Sequence, residues 1–230
     1  MPGKTIHNEM EDFLMGLLRE EDKKAIKDIF QQLKDPVKLV HFTQELNCEY
    51  CNETKQLLME VADLSDKIEL EIYNAQTDKE KMQEYDIERV PALVPATVVR
   101  NEKDYGIRYY GIPAGYEFAS VLEDIVDVSN HHIDLEKSVL DKVQAIDKPV
   151  DIWVFVTTSC PYCPRAVRTA HKFAMANDNI RGVMIEANEY PQLSMQYSVQ
   201  AVPKIVINGK HSFEGAYPDP QFVDEVLKAL

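Results

Sequence analysis

The chain has 230 residues, a formal net charge of −14 and 45% hydrophobic residues. That length accommodates one large domain or two of ordinary size, and the apolar fraction suffices for real cores. So acidic a balance offers little to neutralise phosphates or anionic headgroups, which argues against a nucleic-acid or membrane-surface partner. No apolar run approaches the ~20 residues of a membrane span. The stretch Phe13–Leu18 follows Glu9, Glu11 and Asp12 and lacks the basic start of a signal peptide. A soluble cytoplasmic protein is expected. There four cysteines are not expected to be structural disulfides.

In chain order, residues 1–19 carry no strong period and read as a tail. Ala25, Ile26, Ile29, Phe30 and Leu33 set a helix over 20–34, stopped by Asp35-Pro36. A strand over 37–42 leads to Cys48 and Cys51. A helical stripe follows through Leu57, Leu58, Val61, Ala62 and Leu64. Residues 68–73 alternate as a strand, 79–85 form a short polar helix, and 96–99 with 105–110 flank the turn Asn101–Asp104 as a hairpin. A helix over 116–128 closes this unit. The pattern then repeats: helix 135–146, strand 151–157, Cys160 and Cys163 opening helix 161–177, strand 182–187, helix 191–197. Strands 204–207 and 211–214 around Asn208-Gly209, and helix 219–229, complete it.

The landmarks recur in the same order. Leu33–Leu39 answers to Ile146–Ile152, one CxxC to the other, Val94-Pro95 to Val202-Pro203, and Gly111 with Phe118 to Gly215 with Phe222. The expected architecture is α/β: two tandem units, 20–129 and 130–230, each a mixed sheet flanked by helices. The polar stretch Ser129–Asp134 marks the boundary. Its adjacent His131 and His132 read as a solvated linker in preference to metal ligands.

Every cysteine lies in a CxxC pair. A helix N-terminus stabilises thiolate through its free N–H groups and partial positive charge. The first cysteine of each pair is placed to attack a disulfide, and the second, one turn deeper, to resolve the mixed disulfide. Pro161 fits a first helical turn. Four thiolates are also the donor set of a zinc site. Zinc ribbons, however, separate their pairs by about 15–20 residues, and here residues 52–159 intervene. A redox-inactive binding adaptor is the third alternative. A proline starting a strand downstream of a CxxC can be held cis, leaving the preceding residue to pair with an extended substrate. Val202-Pro203 is that element in the second unit. In the first, Val94-Pro95 is preferred over Val90-Pro91, because Ala96 onward then runs as an uninterrupted strand.

Ser159-Cys160-Pro161-Tyr162-Cys163 with Ala201–Lys210 resembles glutaredoxin. From about residue 20 onward, including Lys103–Gly115, the chain resembles the archaeal and bacterial protein disulfide oxidoreductases, which are tandem thioredoxin-like folds. That resemblance implies thiol–disulfide exchange on protein substrates, with reductase, oxidase and isomerase activity. It also implies no bound cofactor, electrons from an NADPH-dependent, thioredoxin reductase-like flavoprotein, and a peroxiredoxin among the partners. The chain departs from the pattern in places. Thioredoxin's buried aspartate, six residues before its first cysteine, is replaced by Phe42 and Val154, and its tryptophan by Asn47 and Ser159. Gly215-Ala216-Tyr217-Pro218-Asp219 replaces glutaredoxin's glutathione-holding segment.

Charge separates the units, with net −12 over residues 1–129 and −2 over 130–230. Glu49 and Glu53 surround the first CxxC, whereas Arg165, Arg168, His171 and Lys172 follow the second. Cys160 is therefore expected to be the more acidic thiol and its pair the more oxidising. Glu71 and Glu186 are candidate proton acceptors for Cys51 and Cys163, with a solvent-facing placement the favoured reading. Trp153 is expected in the core of its strand.

Overall fold

A computed structural model describes residues 16–87 and 96–230. Helix α1 (Glu20–Phe30) is shorter than its apolar period. Gln32 and Leu33 bond three residues back, to Ile29 and Phe30, and this tighter turn ends the helix before Pro36. Then follow β1 (Val37–Thr43), α2 (Cys51–Ala62), β2 (Ile68–Asn74), α3 (Lys79–Glu84), β3 (Ala96–Arg100), β4 (Ile107–Tyr110) and α4 (Glu117–Asn130). The second half repeats them as α5 (Lys137–Gln144), β5 (Val150–Val156), α6 (Cys163–Ala176), β6 (Ile180–Glu186), α7 (Pro191–Gln196), β7 (Lys204–Ile207), β8 (His211–Glu214) and α8 (Asp219–Lys228). Asn208 and Gly209 both take positive φ, as their hairpin turn demands. The loop between the paired Ile207 and His211 holds three residues.

All eight strands join one sheet in the order β2-β1-β3-β4-β6-β5-β7-β8. Each half is a parallel βαβ unit plus an antiparallel hairpin, and β4 pairs with β6 in parallel to weld the halves. Strand β6 thereby becomes central and is buried along its whole length. Alternation along the strands splits the apolar residues between two faces. Leu39, Ile107, Val154 and Met184 meet Leu58 of α2, Ile125 of α4, Val167 of α6 and Phe222 of α8 on one face. Val40, Phe42, Tyr110, Phe155 and Ile185 meet Met82 of α3 and Tyr190 on the other. Trp153 lies on that second face against Tyr197, at 5.5 Å between centroids.

The start of the described chain is anchored, since Glu60 accepts from the N–H groups of Leu17 and Leu18 at 2.7 and 3.0 Å. Helix α4 runs to Asn130, past the 128 of its sequence pattern. Ser129 is fully buried, its hydroxyl accepting from the Lys34 and Asp35 N–H groups and donating to the Asp35 carbonyl. That tie extends the helix. His131 then caps it at φ +52 and pairs with Asp35 at 3.0 Å, while His132 pairs with Asp127 at 3.4 Å.

Candidate active site

Pairing directions place both CxxC turns. Strands β1, β2, β4, β5 and β6 all point one way, so the turns after β1 and β5 share one edge of the sheet. Helices α2 and α6 pack on the same face. Four strand steps, roughly 19 Å at the usual ladder spacing, separate β1 from β5.

Each pair is closed as a disulfide, Cys48–Cys51 and Cys160–Cys163, with Cα atoms 5.5 Å apart in both. The helices begin at Cys51 and Cys163, later than the sequence pattern placed them. The first helical bond of α2 runs from the Thr54 N–H to the Tyr50 carbonyl, so the first cysteine precedes the helix. Pro161 lies in that preceding turn. Pro164 occupies the first helical turn, where no amide hydrogen is missed. Cys51 and Cys163 are buried; Cys160 retains slight exposure and Cys48 is half-buried. The outer sulfur is therefore the one an incoming disulfide reaches. Four thiolates on one zinc ion would each lie about 2.3 Å from it, which two turns set four strands apart on one rigid sheet do not permit.

The Val202-Pro203 bond is cis, and the Val202 carbonyl oxygen lies 3.8 Å from the Cys160 sulfur. The corresponding Val94-Pro95 and the alternative Val90-Pro91 lie outside the described residues. Phe42 and Val154, at the position of thioredoxin's aspartate, are buried on opposite faces of the sheet.

The cations after Cys163 do not converge on the sulfurs. The Arg168 guanidinium faces Asp124, Asp127 and Glu123 of α4. His171 sits 2.6 Å from Asp124 and is held neutral by its burial and by Arg168. Lys172 pairs with Asp219 at 2.8 Å. Arg165 is exposed. The acidic side of the contrast is reinforced from the other half. Glu189 feels Glu186, Glu49 and Glu53, and Tyr50, inside the first CxxC, feels Glu49, Glu189 and Glu186. Burial first, then those carboxylates, pushes Glu189 up to about 7, against the stabilising Ile112 N–H.

Of the two strand glutamates, Glu186 is buried and accepts from the Asn188 side chain and the Glu189 N–H. Glu71 pairs with Lys38 at 2.5 Å and accepts from the Tyr73 hydroxyl; the Lys38 bond holds its carboxyl low. It lines a polar cavity of about 700 Å³ with Pro36, Lys81, Arg100 and Lys103, at the sheet edge opposite the cysteines.

The acid that sequence reading missed is Glu117, the first residue of α4. It is fully buried, accepts from the Ser120 hydroxyl, and leaves its second oxygen unpartnered. The preceding residue, Tyr116, donates its N–H to the Thr158 carbonyl, on the loop that delivers Cys160. Burial raises the Glu117 carboxyl to about 7. Because the folded value exceeds the unfolded one, the native state is favoured while both forms are protonated. That advantage disappears as pH climbs from about 4.5 through 7, at a cost of about 3 kcal/mol. Glu117→Gln should flatten the fall in unfolding free energy across that window by this amount. Parallel denaturant-derived curves for the two proteins would refute it.

Paired sulfurs at the end of a buried strand, one shielded and one reachable, beside a cis-proline carbonyl, define a dithiol–disulfide exchange centre. The Thioredoxin domain family matches residues 38–99 and 150–228, more than half of the chain. The chain belongs to the thioredoxin-like disulfide oxidoreductases and is a redox enzyme with two CxxC motifs. It is similar to the protein disulfide oxidoreductase of Aeropyrum pernix K1, with 30% identity and a TM-score of 0.84 over 92% of this chain and 93% of that one. A domain of alkylhydroperoxide reductase AhpF from Enterococcus faecalis superposes with a TM-score of 0.83 at 26% identity, covering 91% and 99%. Among curated relatives, the alkyl hydroperoxide reductase AhpF of Staphylococcus epidermidis is 28% identical over 82% of this chain. The chain spans only 35% of that relative's length. Among the described residues, no helix is long and apolar enough to cross a membrane.

Proposed function

We propose that the protein exchanges disulfides with protein substrates at both CxxC sites, serving as reductase, oxidase or isomerase according to its partner. The observation that carries this is the pairing at each site of a reachable outer cysteine with a buried inner one in a closed disulfide. In the reducing direction the Cys160 or Cys48 thiolate attacks a substrate disulfide, forming a mixed disulfide and releasing one substrate thiolate. The Cys163 or Cys51 thiolate then attacks the mixed disulfide. This closes the protein disulfide, releases the second thiolate and transfers two electrons to the substrate. The reverse sequence oxidises a dithiol.

Val202 and Pro203, and in the first half Val94 and Pro95, hold the extended substrate segment beside the outer sulfur. The units 20–129 and 130–230 each carry one such site. Glu186 acts on the first site as part of its acidic surroundings, Glu117 takes its place as the buried acid beside the second, and Glu71 and Arg165 have no part in exchange. Similarity to the alkyl hydroperoxide reductase AhpF supports electrons arriving from an NADPH-dependent flavoprotein and leaving to a peroxiredoxin, in the cytoplasm.

The test is insulin-disulfide reduction with NADPH and a thioredoxin reductase-like flavoprotein, and separately with dithiothreitol. Turnover with both is expected. No acceleration over dithiothreitol alone would remove the exchange reading, and activity surviving loss of both Cys48 and Cys160 would favour a binding adaptor.

A further inference from the structure

The second CxxC lies in the C-terminal half, yet one wall of its surroundings comes from the N-terminal half. The segment between β4 and α4 is fixed to that half at three points. Ile112 donates its N–H to Glu189 at 2.5 Å, Tyr116 donates its N–H to the Thr158 carbonyl at 3.0 Å, and the backbone between them is pressed against the β5–α6 loop. Gly115 shows how close that approach is. It takes φ +60, and a Cβ there would overlap the Thr158 carbonyl oxygen. Gly111, at φ +90, would set a Cβ 2.7 Å from Glu186 and Glu189. Both glycines allow the segment to touch the other half without side chains between them.

What this docking presents is an aromatic ring. Tyr109, Tyr110, Phe155, Phe173 and Phe222 are each under 2% exposed, whereas Tyr116 is 53% and Tyr162, inside the CxxC, 72% exposed. The Tyr116 backbone is bonded two residues before Cys160 while its side chain is left in solvent. A rigid, half-exposed tyrosine beside a nucleophile is the side chain best suited to anchor a peptide at low entropic cost.

We propose that Tyr116 is a substrate-contacting, specificity-determining residue of the second CxxC site, so that this site is composite, built from both halves. Its ligand is the chain flanking the substrate disulfide, carrying an apolar or aromatic side chain on the side away from Val202. The segment lies between Val202 and Tyr116, across the Cys160 sulfur. Tyr116 takes no part in the exchange of bonds. The proposal rests on the exchange reading above and extends it to substrate class.

The experiment uses the full chain with Cys48→Ser and Cys51→Ser, which leaves only the second site. For Tyr116→Ala, Tyr116→Phe and the parent, kcat/KM is measured on insulin and on the small disulfide 5,5′-dithiobis(2-nitrobenzoate). In Tyr116→Ala the ratio of insulin to small-disulfide kcat/KM should fall about 5- to 20-fold, the range of an aromatic anchor, through a higher insulin KM. Tyr116→Phe should keep the ratio within about twofold, since the ring makes the contact. An unchanged ratio in Tyr116→Ala overturns the composite site while leaving the exchange reading standing. A fall as large in Tyr116→Phe overturns the aromatic contact. A parent chain that turns over neither disulfide overturns both readings.

Discussion

Replacing Cys160 by serine should lower insulin reduction through the second site at least about a thousandfold, roughly 4 kcal/mol in the barrier. The reading is taken in the chain already lacking Cys48 and Cys51. An alcohol in place of the outer thiol supplies no thiolate to attack sulfur, and buried Cys163 is not reachable by a protein disulfide. Cys163→Ser should behave differently. Attack still occurs, but the mixed disulfide is not resolved, so a covalent adduct accumulates that is visible without reductant and lost with it. A Cys160→Ser chain retaining more than about a tenth of the parent rate would remove Cys160 from its role as nucleophile. The two outer thiols should also differ from each other. The carboxylates of Glu49, Glu53, Glu186 and Glu189 surround the first CxxC and oppose the formation of thiolate there. Iodoacetamide alkylation against pH should therefore place Cys48 above Cys160; coincident curves would exclude the asymmetry.

The second large effect is structural. Asp124 is fully buried on α4 and accepts from Tyr109 of β4, with His171 of α6 2.6 Å away and the Arg168 guanidinium against it. Strand β4 and α4 belong to the first half and α6 to the second, so one carboxylate joins both. Asp124→Ala leaves a cation and two polar groups buried without their partner, and removing one member of a buried pair costs about 3–5 kcal/mol. That is a large fraction of the ~5–15 kcal/mol by which a native protein is stable. Urea or thermal unfolding should show the loss, with Asp124→Asn losing less because it keeps hydrogen-bonding capacity. A loss below about 1 kcal/mol in Asp124→Ala would mean the network is solvated or relaxes around the gap.

Most strands and helices were legible because their signals are local. Alternation in Ile68–Asn74, the stripe through Leu57, Leu58 and Val61, and the Asn208-Gly209 turn depend only on neighbours along the chain. The four cysteines were legible for the same reason, as spacing alone makes a CxxC. Side-chain partners were not. Arg168, His171 and Lys172 read as a positive field for Cys160, because the sequence does not reveal that α4 and α8 supply Asp124, Asp127 and Asp219 opposite them. Glu117 looked like an ordinary first-turn acid. Its desolvation, and with it the raised carboxyl, follows from where α4 docks.

By itself the sequence determined two copies of one α/β pattern, two dithiols after buried strands, and an acidic balance concentrated in the first copy. The tertiary structure decided how the copies meet: β4 beside β6 in one continuous sheet, both dithiols on one edge, and each site edged by groups from the other half. The physical reason is the reach of the interactions. Turn geometry, periodicity and CxxC spacing act over a few residues. The electrostatics of Cys48, the burial of Glu117 and the placement of Tyr116 arise from contacts between residues far apart in the chain, which exist only once β4 has paired with β6.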